Sequence, residues 1–368
     1  MDAQMPPHPP LQAQLRQQPH VWLVTGVAGF IGSHLLQTLL ETDQSVVGLD
    51  NFATGPRSNL HAVQSQVIPT QWARFRLIKG DIRAPGDCHR ACDGVDHVVH
   101  LAALGSVKRS LADPITTNNT NVCGFVNMLV AAQEASASTF TYATCSSTYG
   151  QPAVAAAAET QPGQPLSPYA ASKQINELYA DVFARSLGMP SVGLRLFNVY
   201  GPRQDPDNAH AYPVAQWIQA LQRQQTVQLQ GNGHVLCDLT HVRDAVQAIL
   251  LAATARPEAR NQVYNVASGQ SVHLLALLAQ LQQAMGQAPH GHPRPAPFGA
   301  SALTVCADIG KAQQHLGYQP SVPLAQGLAE TLAWYRTHCA HATAPAKAAP
   351  RTRPRARTRT SSSLTHSS

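Results

Sequence analysis

The sequence predicts an α/β protein with a doubly wound parallel sheet and a smaller C-terminal substrate lobe. Between residues 21 and 200, short apolar runs typical of buried strands alternate with segments of helical apolar spacing. A glycine-rich turn joins the first of these strands to the first helix. Polar residues follow several of the strands, and the carboxyl ends of parallel strands lie at one edge of a sheet, where ligands bind.

The elements are predicted in chain order from these patterns. Strands are expected at residues 21–25, 45–50, 76–79, 96–101, 139–143 and 192–197. Helices are expected at residues 31–40, at the C-terminal end of 110–135, and at 167–186. Ser167 followed by Pro168 is a typical helix start, because the serine can cap the free amides and proline fits the first turn.

Four regions follow from this organisation. Residues 1–20 are rich in Pro and Gln and are expected to be disordered, and residues 21–200 form a Rossmann-type domain whose sheet is completed in part by later segments. Residues 201–339 are interpreted as the substrate-binding lobe. Residues 340–368 form a basic tail that is also expected to be disordered.

Composition excludes several classes of function. The net charge of +6 equals the charge of six basic tail residues, so the folded body is near neutral and no nucleic-acid surface is predicted. No apolar run is long enough to span a membrane, and no apolar segment resembling a secretory signal occurs near the N-terminus. Seven scattered cysteines favour a reducing, cytoplasmic location. The histidines show no metal-ligand spacing, so no metal is predicted.

The glycine turn, with Gly26, Gly29 and Gly32, predicts a dinucleotide site. Residues without side chains let the backbone approach a pyrophosphate, and the N-terminus of the following helix offers free amides. Asp50 ends the next strand, where its carboxylate can accept hydrogen bonds from an adenosine ribose and repel a 2′-phosphate. The pattern therefore favours NAD over NADP. Asp81 and Ile82 could flank the adenine, although a surface turn explains Asp81 almost as well.

Tyr169 and Lys173 are the predicted catalytic pair. They lie one helical turn apart and can face the same crevice. A phenol is a poor base at neutral pH, and a nearby ammonium together with the nicotinamide cation would lower its pKa. Ser146 and Ser147, at a strand end, could bridge the phenol and a substrate oxygen, although serines also favour turns. His100, by contrast, is interpreted as a core residue.

These motifs together resemble an extended short-chain dehydrogenase/reductase, and within that superfamily the NAD-dependent epimerase/dehydratase family. The resemblance runs from about residue 22 to about residue 335 and rests on these motifs in family order: Thr25-Gly26-x-x-Gly29-x-x-Gly32, Asp50-Asn51, Gly80-Asp81-Ile82, His100-Leu101-Ala102-Ala103, Ser146-Ser147-Thr148-Tyr149-Gly150, Tyr169-x-x-x-Lys173, Leu196-Phe197-Asn198-Val199-Tyr200-Gly201-Pro202-Arg203 and Tyr264-Asn265-Val266.

The resemblance implies a set of site residues. NAD would be held by Gly26, Gly29, Phe30, Ile31, Gly32, Asp50, Asn51, Asp81, Ile82, Leu101, Ala102, Ala103, Tyr169 and Lys173. Tyr169, Lys173 and Ser146 would be catalytic. The substrate would contact Gly105, Ser106, Ser146, Ser147, Asn198 and Val305.

Within the family, Gly48-Leu49-Asp50-Asn51-Phe52-Ala53-Thr54-Gly55, Ala103-Leu104-Gly105-Ser106-Val107, Arg203-Gln204-Asp205-Pro206 and Asn261-Gln262-Val263-Tyr264-Asn265 are similar to the UDP-N-acetylglucosamine 4-epimerases of surface-polysaccharide pathways. That likeness implies epimerisation at C4 of a UDP-hexose through a 4-keto sugar, with Tyr169 as the base, Asn198 on the diphosphate, and a homodimer. Val305 stands where a bulky aromatic residue excludes the N-acetyl group in the family, so its small side chain implies that the N-acetyl sugar is admitted.

Three positions depart from the family pattern. Cys145 replaces a catalytic Ser or Thr, and a thiol is a weak hydrogen-bond donor. Cys237 and Phe298 stand where phosphate-binding arginines are expected, with Arg294 or Arg203 as the expected replacements. The alternatives are therefore a catalytically impaired NAD-binding relative that acts as a partner or sensor, or another nucleotide-sugar epimerase or dehydratase. A 4,6-dehydratase is disfavoured because the strand end lacks its acidic pair, and a net reductase because Asp50 suits NAD.

Overall fold

A computed structural model describes residues 11–150, 156–161, 163–207, 213–230, 233, 235–287, 294–296 and 306–338, with residues 230 and 294–296 described by backbone alone. The strands in this part of the chain are β1 Val21–Thr25, β2 Ser45–Asp50, β3 Phe75–Lys79, β4 His97–His100, β5 Thr139–Cys145, β6 Ser191–Leu196, β7 Val199–Tyr200, β8 Gln228–Gln230, β9 Leu236–Asp238, β10 Thr240–His241, β11 Gln262–Val266, β12 Ser271–His273 and β13 Arg294–Ala296.

The helices in the same residues are α1 Leu11–Gln17, α2 Phe30–Glu41, α3 Arg57–Gln66, α4 Pro69–Trp72, α5 Pro85–Cys92, α6 Val107–Ala112, α7 Pro114–Asn118, α8 Gly124–Glu134, α9 Pro168–Leu187, α10 Val214–Gln222, α11 Val242–Ala253, α12 Leu274–Ala284, α13 Gly310–Leu316 and α14 Leu324–His338. A π-helical segment, Asn119–Cys123, joins α7 to α8, and 3₁₀ turns lie at Ser146–Tyr149 and Pro257–Ala259.

The central sheet has seven parallel strands in the order β11-β6-β5-β4-β1-β2-β3. The strand order reverses between β1 and β4, and in such a sheet ligands bind beyond the carboxyl ends of the strands at that point. The predicted doubly wound α/β class is therefore confirmed. The predicted strands all occur, with boundaries shifted by at most two residues.

Helices cover both faces of this sheet. On one face α2 and α11 pack against the apolar side chains of β1 and β6 in a first hydrophobic cluster that includes Leu35 and Ile249. On the other face α5, α8 and α9 form a second cluster around Phe125 and Met128. Both layers bury the alternate side chains of the strands, which explains why the strand sequences are apolar almost throughout.

A separate apolar cluster lies in the C-terminal half. It joins side chains of α10, β9, α12 and α14, among them Trp217, Leu277 and Leu332. Two other elements of this half, α11 and β11, belong to the main sheet and its cover. The C-terminal half therefore serves both the main sheet and the smaller lobe.

The N-terminal segment differs from the expectation of disorder over residues 1–20. Residues 11–17 form helix α1, and Leu15 is buried in the first cluster. The side-chain amide of Gln44 donates a 2.9 Å hydrogen bond to the carbonyl oxygen of Leu15, which links this helix to the main domain. The segment is mostly polar, but its one buried apolar residue, Leu15, packs into the core. This tertiary contact stabilises a helix too short to be stable by local propensity alone.

The helix predicted at the C-terminal end of residues 110–135 is present as α8, and two short helices and a π-helical segment precede it. Asp113 ends α6 and caps α7, where its carboxylate accepts a 3.0 Å hydrogen bond from the amide of Thr116. The segment Asn119–Cys123 then widens to a π-helix before α8. Pro114 follows the cap at the first position of α7, a place where its missing amide costs nothing. None of the helices within the described ranges has the length and apolar character needed to cross a bilayer.

Candidate active site

The glycine turn between β1 and α2 is tightly folded. Gly26 has a φ of +70°, and a Cβ at this residue would lie 2.9 Å from the amide nitrogen of Ala102. A Cβ at Gly32 would lie 2.2 Å from the carbonyl oxygen of Gly26. Gly29 precedes α2 and offers no side chain to cap it, so the first amides of the helix remain available to an anion.

A cavity of about 380 Å³ opens beside this turn. Eight of the predicted cofactor residues line it: Gly26, Gly29, Asp50, Asn51, Ile82, Leu101, Ala102 and Ala103. Phe30, Ile31 and Gly32 form the first turn of α2 next to it. A glycine cradle, an uncapped helix N-terminus and an acidic strand end around one cavity fit the pyrophosphate and ribose of NAD.

Asp50 is held rigidly at the end of β2. Its carboxylate accepts hydrogen bonds from the amides of Ala28 (2.9 Å) and Phe52 (2.7 Å). Burial raises the pKa of Asp50, and these two hydrogen bonds oppose that shift. A carboxylate accepts about four hydrogen bonds, so two backbone bonds leave capacity for ribose hydroxyls.

Asp81 lies beside Asn51 at the cavity. Its carboxylate accepts hydrogen bonds from the amide nitrogen of Asn51 (2.8 Å) and from the guanidinium of Arg83 (2.7 Å). The hydrogen bonds with Arg83 hold the pKa of Asp81 well below its usual range. Asp81 therefore orders the cavity rim, and its contact with adenine remains a prediction.

His100 is a core residue, as the sequence predicts. Its Nδ1 is 3.0 Å from the hydroxyl of Thr25, and its ring stacks on Phe140. Burial lowers the pKa of His100 to about 3, so the ring is neutral. The same hydroxyl of Thr25 accepts hydrogen bonds from the amides of Leu101 and Ala102, which draws that cavity wall against the glycine turn.

The predicted catalytic pair occupies the first two turns of α9. The hydroxyl of Ser167 accepts a 3.2 Å hydrogen bond from the amide of Ala170 and so begins the helix. Tyr169 and Lys173 are only 6% and 4% exposed. The ammonium of Lys173 donates a 2.9 Å hydrogen bond to the carbonyl oxygen of Ala143 on β5.

Burial dominates the electrostatics of Tyr169 in this structure. Burial raises the pKa of Tyr169 well above its ordinary value, and a hydrogen bond with the Cys145 thiol raises it further. Burial also lowers the pKa of Lys173. Desolvation dominates here, and the ammonium is bound to a backbone carbonyl, so a lower pKa of Tyr169 through Lys173 together with the nicotinamide cation stays a prediction.

Asn121, in the π-helical segment, connects the cavity with α9. Its side chain donates to the hydroxyl of Ser172 (3.1 Å) and to the carbonyl of Leu104 (3.1 Å), and it accepts from the amide of Leu104 (2.8 Å). Leu104 lines the cavity. Tyr169 and Lys173 do not line this cavity themselves. The hydrogen bonds of Asn121 connect their helix to the cavity wall.

The expected substrate residues lie at strand ends and helix starts. Ser146 is buried and Ser147 half-buried in the 3₁₀ turn that follows β5. Gly105 precedes Ser106, whose hydroxyl accepts a 3.1 Å hydrogen bond from the amide of Arg109 as the cap of α6. Asn198 has a φ of +36°, and its amide nitrogen donates to the carbonyl of Asp238 (2.7 Å). Their contacts with substrate remain predictions.

The residues expected to bind the phosphates of the substrate differ from the prediction in their surroundings. Arg203 does not replace a missing phosphate-binding arginine, because its guanidinium is buried and donates to the side chains of Gln66 (2.8 Å) and Gln37. Cys237 is fully buried in the apolar cluster of the smaller lobe. Arg294 lies on β13, of which the backbone alone is described. Phe298 and Val305 lie outside the described residues.

Glu177 and Arg195 form a buried ion pair between α9 and β6 that no sequence motif indicated. Glu177 accepts hydrogen bonds from the guanidinium of Arg195 at 2.6 and 3.0 Å. The only available signal was spacing, because Glu177 follows Tyr169 and Lys173 at intervals of four residues and shares their helix face. Among the described residues, no three or more His, Cys, Asp or Glu side chains are grouped to hold a metal ion.

Comparison with known proteins agrees with this geometry. The sequence profile described as the NAD dependent epimerase/dehydratase family matches residues 22–267. The chain is 34% identical over 319 residues to a UDP-glucose 4-epimerase of Mycolicibacterium smegmatis, an alignment covering 85% of this chain and 98% of that protein. It is 35% identical over 331 residues to a dTDP-glucose 4,6-dehydratase of Streptomyces griseus, covering 86% and 94%.

A solved structure supports the same relationship. The UDP-N-acetylglucosamine 4-epimerase from Methanobrevibacter ruminantium M1, in complex with UDP-N-acetylmuramic acid, superposes with a TM-score of 0.79 at 28% identity. The superposition covers 87% of this chain and 99% of that one. The profile match spans well over half of the sequence, and the cavity has the glycine cradle that such a cofactor requires. The chain therefore belongs to the NAD-dependent epimerase/dehydratase family, with NAD as its cofactor.

Proposed function

We propose that this protein is a UDP-hexose 4-epimerase that interconverts UDP-N-acetylglucosamine and UDP-N-acetylgalactosamine. The observation that carries the proposal is the placement of Tyr169 and Lys173 on one face of α9, at the carboxyl end of β5 and joined by Asn121 to the wall of the dinucleotide cavity. A phenol and an ammonium beside a nicotinamide suit proton transfer at a carbinol.

The residues of the chain divide the reaction between them. Tyr169 removes the proton of the sugar 4-hydroxyl as C4 loses hydride, and it returns the proton when hydride comes back on the other face. Bound NAD⁺ supplies the hydride acceptor and, once reduced, the hydride donor. Ser146 donates a hydrogen bond to the substrate oxygen, since the thiol of Cys145 is a weak donor.

The phenol of Tyr169 needs help to act as a base. Burial and Cys145 both raise its pKa, so activation depends on positive charge that comes close to Tyr169 when the cofactor binds. Lys173 supplies part of that charge if its ammonium moves from Ala143 towards the nicotinamide ribose. The NAD contacts that the sequence predicts for the other cofactor residues are part of the same proposal.

The N-acetyl substrate is proposed on two supports. Val305 has a small side chain at the position where the family excludes the N-acetyl group with an aromatic residue. One solved relative is named as a UDP-N-acetylglucosamine 4-epimerase.

The lobe at residues 201–339 would bind the UDP-sugar, and Asn198 would contact the diphosphate. The product would feed polysaccharide synthesis. The six cysteines within the described residues are free thiols, which fits the proposed cytoplasmic location.

A non-catalytic NAD-binding relative is the second candidate. It is favoured by the phosphate side of the site, where Cys237 is buried among apolar side chains and Arg203 is bound by two glutamines. A 4,6-dehydratase is less favoured, because Cys145 at the end of β5 and Ser146 and Ser147 in the turn after it provide no carboxyl pair for the loss of water.

The deciding experiment couples cofactor release to turnover. The purified protein is denatured to release NAD(H) for quantification, and a fresh sample is incubated with UDP-N-acetylglucosamine and followed by NMR. We expect bound NAD and formation of UDP-N-acetylgalactosamine. Bound NAD without turnover of any common UDP-hexose would instead support the non-catalytic relative.

We also propose a homodimer, formed through an exposed apolar face. Leu178 and Val182 on α9 are 62% and 47% exposed, and Leu111 and Ile115 on the adjoining α6 and α7 are 57% and 72% exposed. Exposed apolar side chains grouped on adjoining helices are typical of a protein interface. The combined change Leu178→Glu and Val182→Glu should convert a dimer to a monomer in light scattering. A wild-type protein that is already monomeric would contradict the proposal.

A further inference from the structure

A row of polar side chains crosses the sheet beneath the catalytic helix. The register of the parallel strands pairs Thr144 of β5 with Arg195 of β6, and Arg195 with Asn265 of β11. All three are buried, although the strands around them are apolar. Each lies within one or two residues of the carboxyl end of its strand, the edge where the site is built.

Glu177 connects this row to α9. One carboxylate oxygen accepts from the hydroxyl of Thr144 (2.8 Å) and from Nε of Arg195 (3.0 Å), and the other accepts from Nη2 of Arg195 (2.6 Å). The side chains of Glu177 and Arg195 are only 10% and 9% exposed. The bidentate geometry fixes both the distance and the orientation between the helix and β6.

The same arginine contacts the turn that carries the strand-end serines. Its guanidinium carbon lies 4.7 Å from the centre of the Tyr149 ring, and Tyr149 ends the 3₁₀ turn that begins at Ser146. The hydroxyl of Tyr149 donates a 2.7 Å hydrogen bond to the side-chain oxygen of Asn265. One cation is therefore packed against both the catalytic helix and the serine turn.

Asn265 extends the network to two later segments. Its amide nitrogen donates to the carbonyls of Ala157 (2.8 Å) and Asp308 (2.9 Å). Its backbone amide donates to the carboxylate of Glu159 (2.8 Å). Ala157 and Ala307 form a β-bridge, so these segments are held together over the end of β11.

We propose that the Glu177–Arg195 ion pair is a positioning element that sets Tyr169 and Lys173 relative to the serine turn and the 156–159 and 306–308 segments. This inference rests on the proposed epimerase function. Tyr169, Lys173 and Glu177 follow one another at single helical turns, so a shift of α9 at Glu177 displaces the catalytic pair directly. A displacement of about 1 Å can lower a rate by about 10²-fold, since reacting groups must meet in a narrow geometry.

The test separates positioning from plain stabilisation. Removing one partner alone leaves a buried charge unpaired and strongly destabilises a protein, whereas replacing both with apolar residues of similar size often preserves stability. The double variant Glu177→Leu with Arg195→Met is therefore compared with Asp181→Leu with Arg185→Met. That control makes the same exchanges in an ion pair of α9 whose side chains are 51% and 70% exposed.

We expect the Glu177/Arg195 double variant to fold, to melt within a few degrees of the control and to retain NAD. Its kcat for UDP-sugar epimerisation should fall by about tenfold or more, while KM changes by less than about threefold. Arg195→Lys should also lose kcat, because lysine keeps the charge but not the bidentate fork. A double variant with wild-type kcat would overturn the proposal and leave the pair a purely structural role.

Hydrogen–deuterium exchange gives a second reading that does not need turnover. The Glu177/Arg195 double variant should exchange faster than the Asp181/Arg185 control in residues 156–161 and 306–309 and in the first turn of α9. If the wild-type protein shows no epimerisation, the proposed function fails, and this exchange decides the positioning inference alone. Unchanged exchange in those segments would overturn it.

Discussion

At the scale of single residues, the proposed chemistry depends on the surroundings of the Tyr169 phenol. Tyr169 is buried, is hydrogen-bonded to a thiol, and lies one turn from a lysine whose ammonium is bound to the carbonyl of Ala143. Desolvation outweighs the nearby positive charge, so the pKa of Tyr169 is raised rather than lowered. The chemistry of this residue therefore depends on groups that approach it on cofactor and substrate binding.

Replacing Tyr169 with Phe should abolish the proton transfer and leave the fold intact. We expect kcat to fall by about 10²- to 10⁴-fold, the usual contribution of a general acid–base residue. NMR of UDP-N-acetylglucosamine turnover measures the loss, and release of NAD(H) verifies that the cofactor site survives. Tyr179→Phe, at an exposed tyrosine of the same helix, is the matched control and should retain wild-type activity.

Replacing Cys145 with Ser should raise the rate. A serine hydroxyl is a stronger hydrogen-bond donor than a thiol, and it removes the thiol that raises the pKa of Tyr169. A gain of about 1 kcal/mol in the transition state corresponds to an increase in kcat of about fivefold. Cys123→Ser, at an exposed cysteine, should change nothing. A slower Cys145→Ser enzyme would mean that the thiol has a role of its own.

At the scale of elements, the turn between β1 and α2 depends on close backbone approach. The amide of Gly29 donates a 3.0 Å hydrogen bond to the carbonyl of Gly26, and that same carbonyl leaves no room for a Cβ at Gly32. The turn and the start of α2 thus form one rigid unit. The start of helix α9 is likewise fixed locally, because its cap at Ser167 is followed directly by the predicted catalytic residues.

The change Gly32→Ala should deform this unit. A Cβ 2.2 Å from the carbonyl oxygen of Gly26 cannot be accommodated without a backbone shift, and overpacking of this kind costs about 1–3 kcal/mol. We expect a lower melting temperature and loss of copurified NAD. Gly86→Ala is the control, since a Cβ at Gly86 in α5 meets no atom within 4 Å. Full NAD content in Gly32→Ala would contradict the assigned cradle.

At the scale of the whole molecule, three buried histidines and one half-buried histidine, His34, connect folding to pH. Desolvation by burial is the leading cause that lowers the pKa of His34 and His100 to about 3 and that of His97 and His241 to about 4. Each is neutral in the folded protein, whereas an unfolded histidine titrates at about 6.5. They are distributed over α2, β4 and β10, so the effect belongs to the fold as a whole.

The free energy of unfolding should therefore fall as the pH drops below about 6.5, because the unfolded chain takes up protons that the folded chain excludes. For each of these histidines the loss continues down to its folded pKa, at about 3 or 4. Urea unfolding at pH 7.5, 6.5 and 5.5 measures the effect. A free energy of unfolding that is constant or higher at pH 5.5 would contradict the assignment.

The sequence by itself determined the fold class and the cofactor, and it predicted the catalytic pair. Those depend on local patterns: apolar runs for strands, glycines where the backbone must approach a phosphate, and two residues of α9 at a spacing of four. The strands of the main sheet and the start of α9 at Ser167 were predictable for the same reason, since propensity and capping act within a few residues.

Tertiary structure alone decided the rest. Glu177, Arg195 and Asn265 meet because parallel strands align residues that are far apart in the chain, and no local pattern encodes that register. The engagement of Arg203 by α2 and α3 and the raised pKa of Tyr169 likewise depend on burial against distant segments. Charge and desolvation are properties of the assembled interior, and a motif predicts catalytic residues without describing their surroundings.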